Sequence, residues 1–286
     1  MSNEITVTQL AGSIPDVVRA VALKARYAAA NMVKRVLNVD ADVAKKGDRV
    51  SLSILPSLSV SAVGAGGTVT RQQVSVTAVE VVVNDWAECT VDVDDQATRQ
   101  SALQVLKEYS AEMGKALAAY QDGKVGGLYA TLTGQTDIGT SADPTVMDDA
   151  KIRLAIQRLD DDDIPREDRM WLLAPSAHND LLALSRFTEA QNTGFARGVQ
   201  VDNGRISNLY GDPVYVSNKI ATVGGARANM YVHKEALGIG TQKNFKVTPL
   251  AKTQLSEAIT ADVLFGVKTV RSNHGVVVYS TVNQDA

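Results

Sequence analysis

The stretch RVSLSILPSLSVSAVGAGGTVTRQQVSVTAVEVVV, residues 49–83, decides how this chain is read. Val50, Leu52 and Ile54 alternate with Ser51 and Ser53, which is the period of a strand with one apolar and one polar face. Pro56 stops that strand or confines it to an edge. Val63-Gly64-Ala65-Gly66-Gly67-Thr68 has too little side chain to pack and reads as a flexible tip. After it Val74, Val76 and Ala78 alternate with Ser75 and Thr77, and the run continues through Val83. The pattern predicts two long strands around a Gly-rich turn. A hairpin of this kind has little core of its own, is marginal in isolation, and must lean on another surface.

Upstream, Ser13 stands three residues before Asp16, with Pro15 in the first turn, a helix start. Val18, Val21, Ala25, Ala28, Met32 and Val36 follow at spacings of three and four, giving one apolar stripe that needs a partner in the subunit or on a neighbour. Asn38 and Asp40 end it. Downstream, Cys89, Val91 and Val93 alternate in a further strand. Asp94 and Asp95 then cap the longest helix, from about Gln96 to about Asp122, roughly 40 Å long at 1.5 Å per residue. Leu103, Leu106, Met113, Leu117 and Tyr120 mark its buried side, and Gly126-Gly127 its end.

The second half mixes element types. Residues 132–143 form a loop rich in Gly, Thr, Ser and Asp. Pro144 opens a helix with Ile152, Ala155, Ile156 and Leu159 on one face, closed by Asp160 to Asp163. Met170 to Ala174 is a short buried strand, and Pro175-Ser176-Ala177 starts a helix carrying Leu181, Leu182 and Leu184. Residues 187–204 show no periodicity and read as a long loop. Strands follow at Pro213–Ser217, Met230–His233, Phe245–Leu250, Gly266–Arg271 and Gly275–Thr281. This is an α+β order, without the regular strand–helix alternation of a nucleotide-binding fold.

Composition bounds the rest. The chain has 286 residues, 45% hydrophobic and 21% charged, an ordinary soluble globular balance. No run of 18 apolar residues predicts a membrane span, and the start lacks a secretory pattern. One cysteine, Cys89, excludes an internal disulfide and fits synthesis in a reducing cytoplasm. Net charge is −3, divided between +3 for residues 1–46 and −6 for the remainder. A mildly acidic body argues against a dedicated nucleic-acid binder, which needs a concentrated basic face. The basic first segment reads either as a contact for nucleic acid or an acidic partner, or, as favoured, as a solvated helix face.

Signals for chemistry are weak. His178, His233 and His274 lie far apart in sequence without neighbours at metal-ligand spacing, so they read as surface or capping residues. The Gly64–Gly67 cluster lacks the Lys-Ser/Thr of a phosphate loop, and Val69 stands where a dinucleotide motif has its third glycine. There is no Gly-x-Ser-x-Gly elbow. Asp160 to Asp163 are consecutive, and consecutive helical residues point in different directions, so a solvated helix end is favoured over a cation site. Asp92, Asp94 and Asp95 lack the glycine and distal glutamate of a calcium loop. Cys89 reads as a small buried apolar side chain. The expectation is no catalytic residue, no cofactor and no metal.

The order of these features resembles the Hong Kong 97-type fold of tailed-bacteriophage major capsid proteins across nearly the whole chain. Met1 to Lys46 resembles that family's N-terminal arm. Gly47-Asp48-Arg49-Val50-Ser51-Leu52 and Val74 to Val83 resemble its extended loop, and Gln96 to Asp122 its spine helix. Local phrases are similar too: Trp171-Leu172-Leu173-Ala174-Pro175, Gly211-Asp212-Pro213-Val214-Tyr215-Val216-Ser217-Asn218, and Phe265-Gly266-Val267-Lys268-Thr269-Val270-Arg271. The resemblance implies an arm at 1–46, an extended hairpin loop at 47–84, and a peripheral domain with the spine helix at 85–143. It further implies an axial domain at 144–260 and C-terminal strands at 261–286 completing the peripheral domain.

The function it implies is a non-enzymatic subunit that self-assembles, as hexamers and pentamers, into the icosahedral head of a phage around double-stranded DNA. The head would be assembled in the bacterial cytoplasm and become part of the virion. Scaffolding, portal and decoration proteins would be separate partners, DNA contact non-specific at most, and no membrane involved. Contacts between subunits are expected at Val18, Val21, Ala25 and Met32 of the arm and at Arg49, Val63 and Arg71 of the loop. Some relatives weld their shells through an extended-loop lysine, but here no lysine lies between Lys46 and Lys107. Compartment shell subunits share this fold, and stand as an alternative. A tail-tube protein and a cytoplasmic enzyme with an unrecognised site are further ones.

Overall fold

The structure, a computed structural model, describes residues 21–22, 24, 32–40, 49–55, 58–68, 71–184, 200–202, 205–249 and 256–282. Its elements in chain order begin with β1 (Leu37–Asn38), β2 (Arg49–Ile54), β3 (Thr77–Val82), β4 (Asp85–Asp94) and α1 (Asp95–Gly126). Next come α2 (Asp149–Asp161), β5 (Arg169–Leu173), α3 (Pro175–Leu182), β6 (Gln200–Asp202), β7 (Arg205–Leu209), β8 (Asp212–Val216) and β9 (Thr222–Val223). The last four are β10 (Ala226–His233), β11 (Leu237–Pro249), β12 (Ser256–Thr269) and β13 (Gly275–Thr281).

Two sheets organise the chain. One has four strands in the order β1-β11-β12-β4, and the other runs β13-β10-β5-β8-β7-β6 with β9 paired to β10. In β4, Ala87, Cys89 and Val91 face inward while Trp86, Glu88 and Thr90 face out, the period expected of a strand covered on one side. Ala261, Val263 and Phe265 of β12 share that inner face with Met113, Leu117 and Val125 of α1. The same cluster takes in Leu172, Met230, Val232 and Val277 from the second sheet, so one core spans both sheets beside the long helix. A second core lies across the other face of the larger sheet. There α2 and α3 lay Ile152, Ala155, Leu159, Ala177 and Leu181 against Trp171, Leu173 and Tyr231. All five residues of β5 are buried because both of its faces are covered.

Several local expectations fit. β2 spans Arg49–Ile54, and Pro175 occupies the first turn of α3. The spine helix has 32 residues, so it is about 48 Å long at 1.5 Å per residue. Tyr120, expected on its buried side, is instead 43% exposed and meets Phe265 edge-on at 6.1 Å.

Other expectations are corrected. Residues 21, 22 and 24 are helical, but the stripe does not continue as helix to Val36: Met32 to Val36 are turns. The Asp122 carboxylate accepts the N–H groups of Met32 (3.1 Å) and Val33 (3.0 Å), which breaks the helical pattern and leads the chain into β1. Pro144 does not open α2. Thr145 bridges Ser280, and the helix begins at Asp149, where the Asp148 side chain accepts the Lys151 N–H at 2.9 Å. The expected loop at 187–204 contains β6 at its end.

The two C-terminal strands enter different sheets. β12 joins the four-stranded sheet and β13 the larger one. The reason is apolarity on both faces: Gly275 to Val278 are all buried, a pattern that only an enclosed strand satisfies.

A third, small core holds the root of the hairpin. Val39, Val50, Val81 and Val83 are buried together, with Leu37, Leu52 and Leu264 packed around them. The chain passes so close over β12 that a Cβ on Gly266 would sit 2.0 Å from the Val82 carbonyl oxygen. Gly266→Ala should therefore lift the hairpin root and destabilise the subunit by about 1–3 kcal/mol, the cost of overpacking. Thermal denaturation of the purified chain checks this, and an unchanged midpoint would contradict the close approach.

Candidate assembly surface

The hairpin leaves the body as a six-residue ladder, with β2 and β3 antiparallel from Arg49↔Val82 to Ile54↔Thr77. Two long strands were expected, but the pairing stops there. Among the described residues nothing packs on the apolar side beyond the root, so the alternation continues without a ladder. Farther out, the Gln72 side chain holds the two arms together, its Nε2 donating to Ser59 Oγ at 2.8 Å. The Ser59 N–H donates to Gln72 Oε1 at 3.3 Å. At the tip the Gly67 N–H donates to the Gly64 carbonyl at 2.9 Å, with Gly66 at φ 85°.

This projecting segment carries Leu55, Leu58, Val60, Val63, Val74 and Val76, all exposed, with Val60 at 99%. Single exposed apolar side chains are unremarkable on a protein surface, but six on one extended loop form an apolar surface that no described residue covers. Arg49 pairs with Glu80 at 3.3 Å in an exposed setting, a contact of little energetic weight. Arg71 is exposed on the returning arm.

Of the contact residues expected from sequence, Val63, Arg49 and Arg71 thus lie on the hairpin, facing solvent. Val21 is partly exposed. Met32 is fully buried in the subunit's own core. Val18 and Ala25, with Ala28 of the same stripe, lie outside the described residues.

Sequence reasoning that starts from the glycines does not single out Leu58, Val60 or Trp86. Leu58 and Val60 alternate with serines, and that alternation was the available signal. Trp86 is 68% exposed on the outer side of β4, at the same parity as Glu88 and Thr90. Its indole N–H donates to Asp262 at 3.0 Å, and the Lys243 ammonium lies 5.2 Å over its ring while also pairing with Asp262.

The polar clusters have structural partners. Asp160 was read as part of a solvated helix end, but it anchors a buried cation. Arg169 is 2% exposed, donates to Asp160 at 2.7 Å and to the Pro165 carbonyl at 2.9 Å, and also reaches the Ile164 carbonyl. Burial works against the ionised form of Asp160, but hydrogen bonds from Arg166 and Arg169 outweigh it and hold the carboxyl below its usual range. Tyr231 donates to Asp212 at 2.6 Å, and burial pushes both groups upward.

A cleft of about 160 Å³ opens nearby, lined by Lys34, Arg35, Asp168, Arg169, Tyr215 and Lys234 among others. The Arg35 guanidinium covers the Tyr215 ring at 4.3 Å, and Asp168 offsets part of the cleft's positive charge. Among the described residues no group of three or more His, Cys, Asp or Glu is placed to hold a metal ion. No helix among them is long and apolar enough to cross a membrane.

The histidines are not surface residues. His178 accepts the Ile206 N–H at 3.2 Å, and His233 accepts the Glu235 N–H at 3.3 Å, a capping role. All three rings belong to buried residues.

No protein-family model and no curated protein matches the chain. Solved structures do. A structure from Mycobacterium phage Che8 is 24% identical, with a TM-score of 0.67, covering 85% of this chain and 88% of that one. The capsid of the cyanophage P-SCSP1u is 16% identical, again with a TM-score of 0.67, over 87% of this chain and 86% of that one. A virus-like particle from Pyrococcus furiosus is 10% identical, with a TM-score of 0.63, over 92% of this chain and 98% of that one.

Proposed function

We propose that this chain, whose fold is the Hong Kong 97-type capsid fold, is a shell subunit that assembles with copies of itself into the icosahedral head of a tailed phage. The observation that carries this reading is the exposed apolar hairpin, anchored at its root and left uncovered by the described residues of its own subunit. A closed shell requires each subunit to meet several neighbours at slightly different angles. A body with a rigid core and a long unladdered extension meets that demand, because the extension absorbs angular differences while burying apolar area. Copies assemble as hexamers and pentamers around packaged double-stranded DNA, which the mildly acidic body contacts non-specifically at most. Separate scaffolding, portal and decoration proteins complete the particle in the host cytoplasm. The chain performs no catalysis in this role.

Electron microscopy of the purified protein tests the reading. Closed shells are expected; rigid tubes or a small inert oligomer would overturn it. The likeness to the Pyrococcus furiosus particle, over nearly the full length of both chains, favours a second reading as a compartment shell. Native particles filled with protein rather than long nuclease-protected DNA would establish that alternative.

Cohesion of the shell is non-covalent. The loop's cations are Arg49 and Arg71, and a guanidinium stays protonated and non-nucleophilic near neutral pH. Particles boiled in detergent should run as one band at 30.5 kDa, and a ladder of multimers would refute this.

A further inference from the structure

Three passages of the chain between the two sheets converge at one place. Residues 127–134 lead from α1 toward the larger sheet, Lys234–Ala236 join β10 to β11, and Ser272–His274 stand between β12 and β13. They are stitched together. The N–H groups of Val270 (2.8 Å) and Arg271 (3.2 Å) both donate to the Ala236 carbonyl, and the Gly134 N–H donates to Ser272 at 3.2 Å. Arg271 pairs with Glu235 at 3.4 Å. The passages also touch without slack, since a Cβ on Gly134 would sit 2.3 Å from Asn273 Cα.

Two histidines close this junction from opposite strands. His233 ends β10 and His274 precedes β13, their rings 5.8 Å apart and nearly perpendicular. His233 Nδ1 accepts the Glu235 N–H that starts the turn toward β11, so that nitrogen carries no proton. His274 Nδ1 lies 2.9 Å from Asn273 Oδ1. We propose that His233 and His274 form a pH-sensitive lock on the joint between the two sheets, closed while both rings are neutral and released when they take up protons.

The charged surroundings agree. Around His274 stand Arg271 of its own turn, His233 opposite, Glu235 of the facing passage and Asp162 from the end of α2. Burial first, then Arg271 and the neighbouring imidazole, hold His274 down at about 4, with Glu235 and Asp162 opposing. Around His233 stand Glu235, Asp168 and Arg169, with a backbone hydrogen bond to Glu167. Burial and Arg169 lower it while both carboxylates oppose. An unfolded histidine takes its proton near pH 6.5. The lock is therefore at full strength above that value and is lost progressively as pH falls from about 6.5 toward 4. Protonating His233 removes the acceptor of the Glu235 N–H, and a second proton places two cations face to edge in a buried site. The stitch on Ala236 then opens, and the setting of one sheet against the other becomes adjustable.

Hydrogen–deuterium exchange of the full chain at pH 7.5, 6 and 5, corrected for intrinsic exchange, tests the lock. Protection across residues 268–275 should fall about tenfold or more between pH 7.5 and 5 while the β5–β10 ladder keeps its protection. His274→Phe, which keeps only His233 titrating, should lose less protection between pH 7.5 and 5 than the unaltered chain. Glu235→Gln leaves both rings in place but removes an opposing carboxylate, so its loss between pH 7.5 and 5 should exceed that of the unaltered chain. Protection independent of pH, or Glu235→Gln losing no more than the unaltered chain, would overturn the proposal.

Discussion

A subunit in which residues 58–74 are replaced by an Asn-Gly turn is expected to fold normally and to form no shells. The three buried clusters draw nothing from that segment: the hairpin's contributions to the core end at Leu52 and resume at Val81. Closing a shorter loop costs no additional entropy, and the β2–β3 ladder stays available to hold its ends. Circular dichroism should match the full chain, and the melting point should stay within a few degrees. Assembly should be abolished, because Leu58, Val60, Val63 and Val74 leave with the loop. Sedimentation and microscopy provide the readout, and intact shells from this variant would remove the hairpin from the assembly contact altogether.

Asn229→Leu is expected to produce the largest loss of stability. Asn229 is fully buried at the centre of the larger sheet. Its Oδ1 accepts the Ala174 N–H at 2.7 Å, and its Nδ2 donates to the Val278 carbonyl at 3.1 Å and to Ser280 Oγ at 2.8 Å. One side chain thereby ties the end of β5 to β13 across β10. Leucine has similar bulk but leaves a buried N–H and a buried hydroxyl without these bonds, at about 1–3 kcal/mol for each group. At about 2–4 °C per kcal/mol for a chain of this size, a melt should move by roughly 10 °C. A shift of only a degree or two would mean that water or a neighbour replaces the amide.

Much of the fold is local and was therefore legible. The serine alternation at 51 and 53 reveals β2, Pro175 marks the start of α3, and the long periodic run after Asp95 reveals the spine helix. What could not be read was which strand finds which. Nothing near Asp85 announces that it will oppose Phe265, and the apolar run at 275–278 marks an enclosed strand without naming the strand it pairs with. The hairpin was over-read for a related reason. Alternation survives in 58–76, but a ladder needs cover on its apolar side, and cover is a tertiary property. The candidate assembly surface is half legible, since the loop's place is evident in the sequence while its apolar content stands out less than its glycines. The His233–His274 contact had no sequence signal, because it exists only where two crossings between sheets meet.

The pairing of β12 with β4 also governs when the subunit becomes competent. Asp94 waits for Ser256 and Asp85 for Phe265, while β10 waits for β13. During synthesis, neither sheet can close until residues 256–281 have left the ribosome. The spine helix and the hairpin emerge long before the surface that seats them. Contacts of such sequence separation are slow to form, and until they do the valines of the hairpin root have no pocket to occupy. A nascent chain therefore cannot hold the hairpin in its anchored setting before residues 256–269 are available to pair.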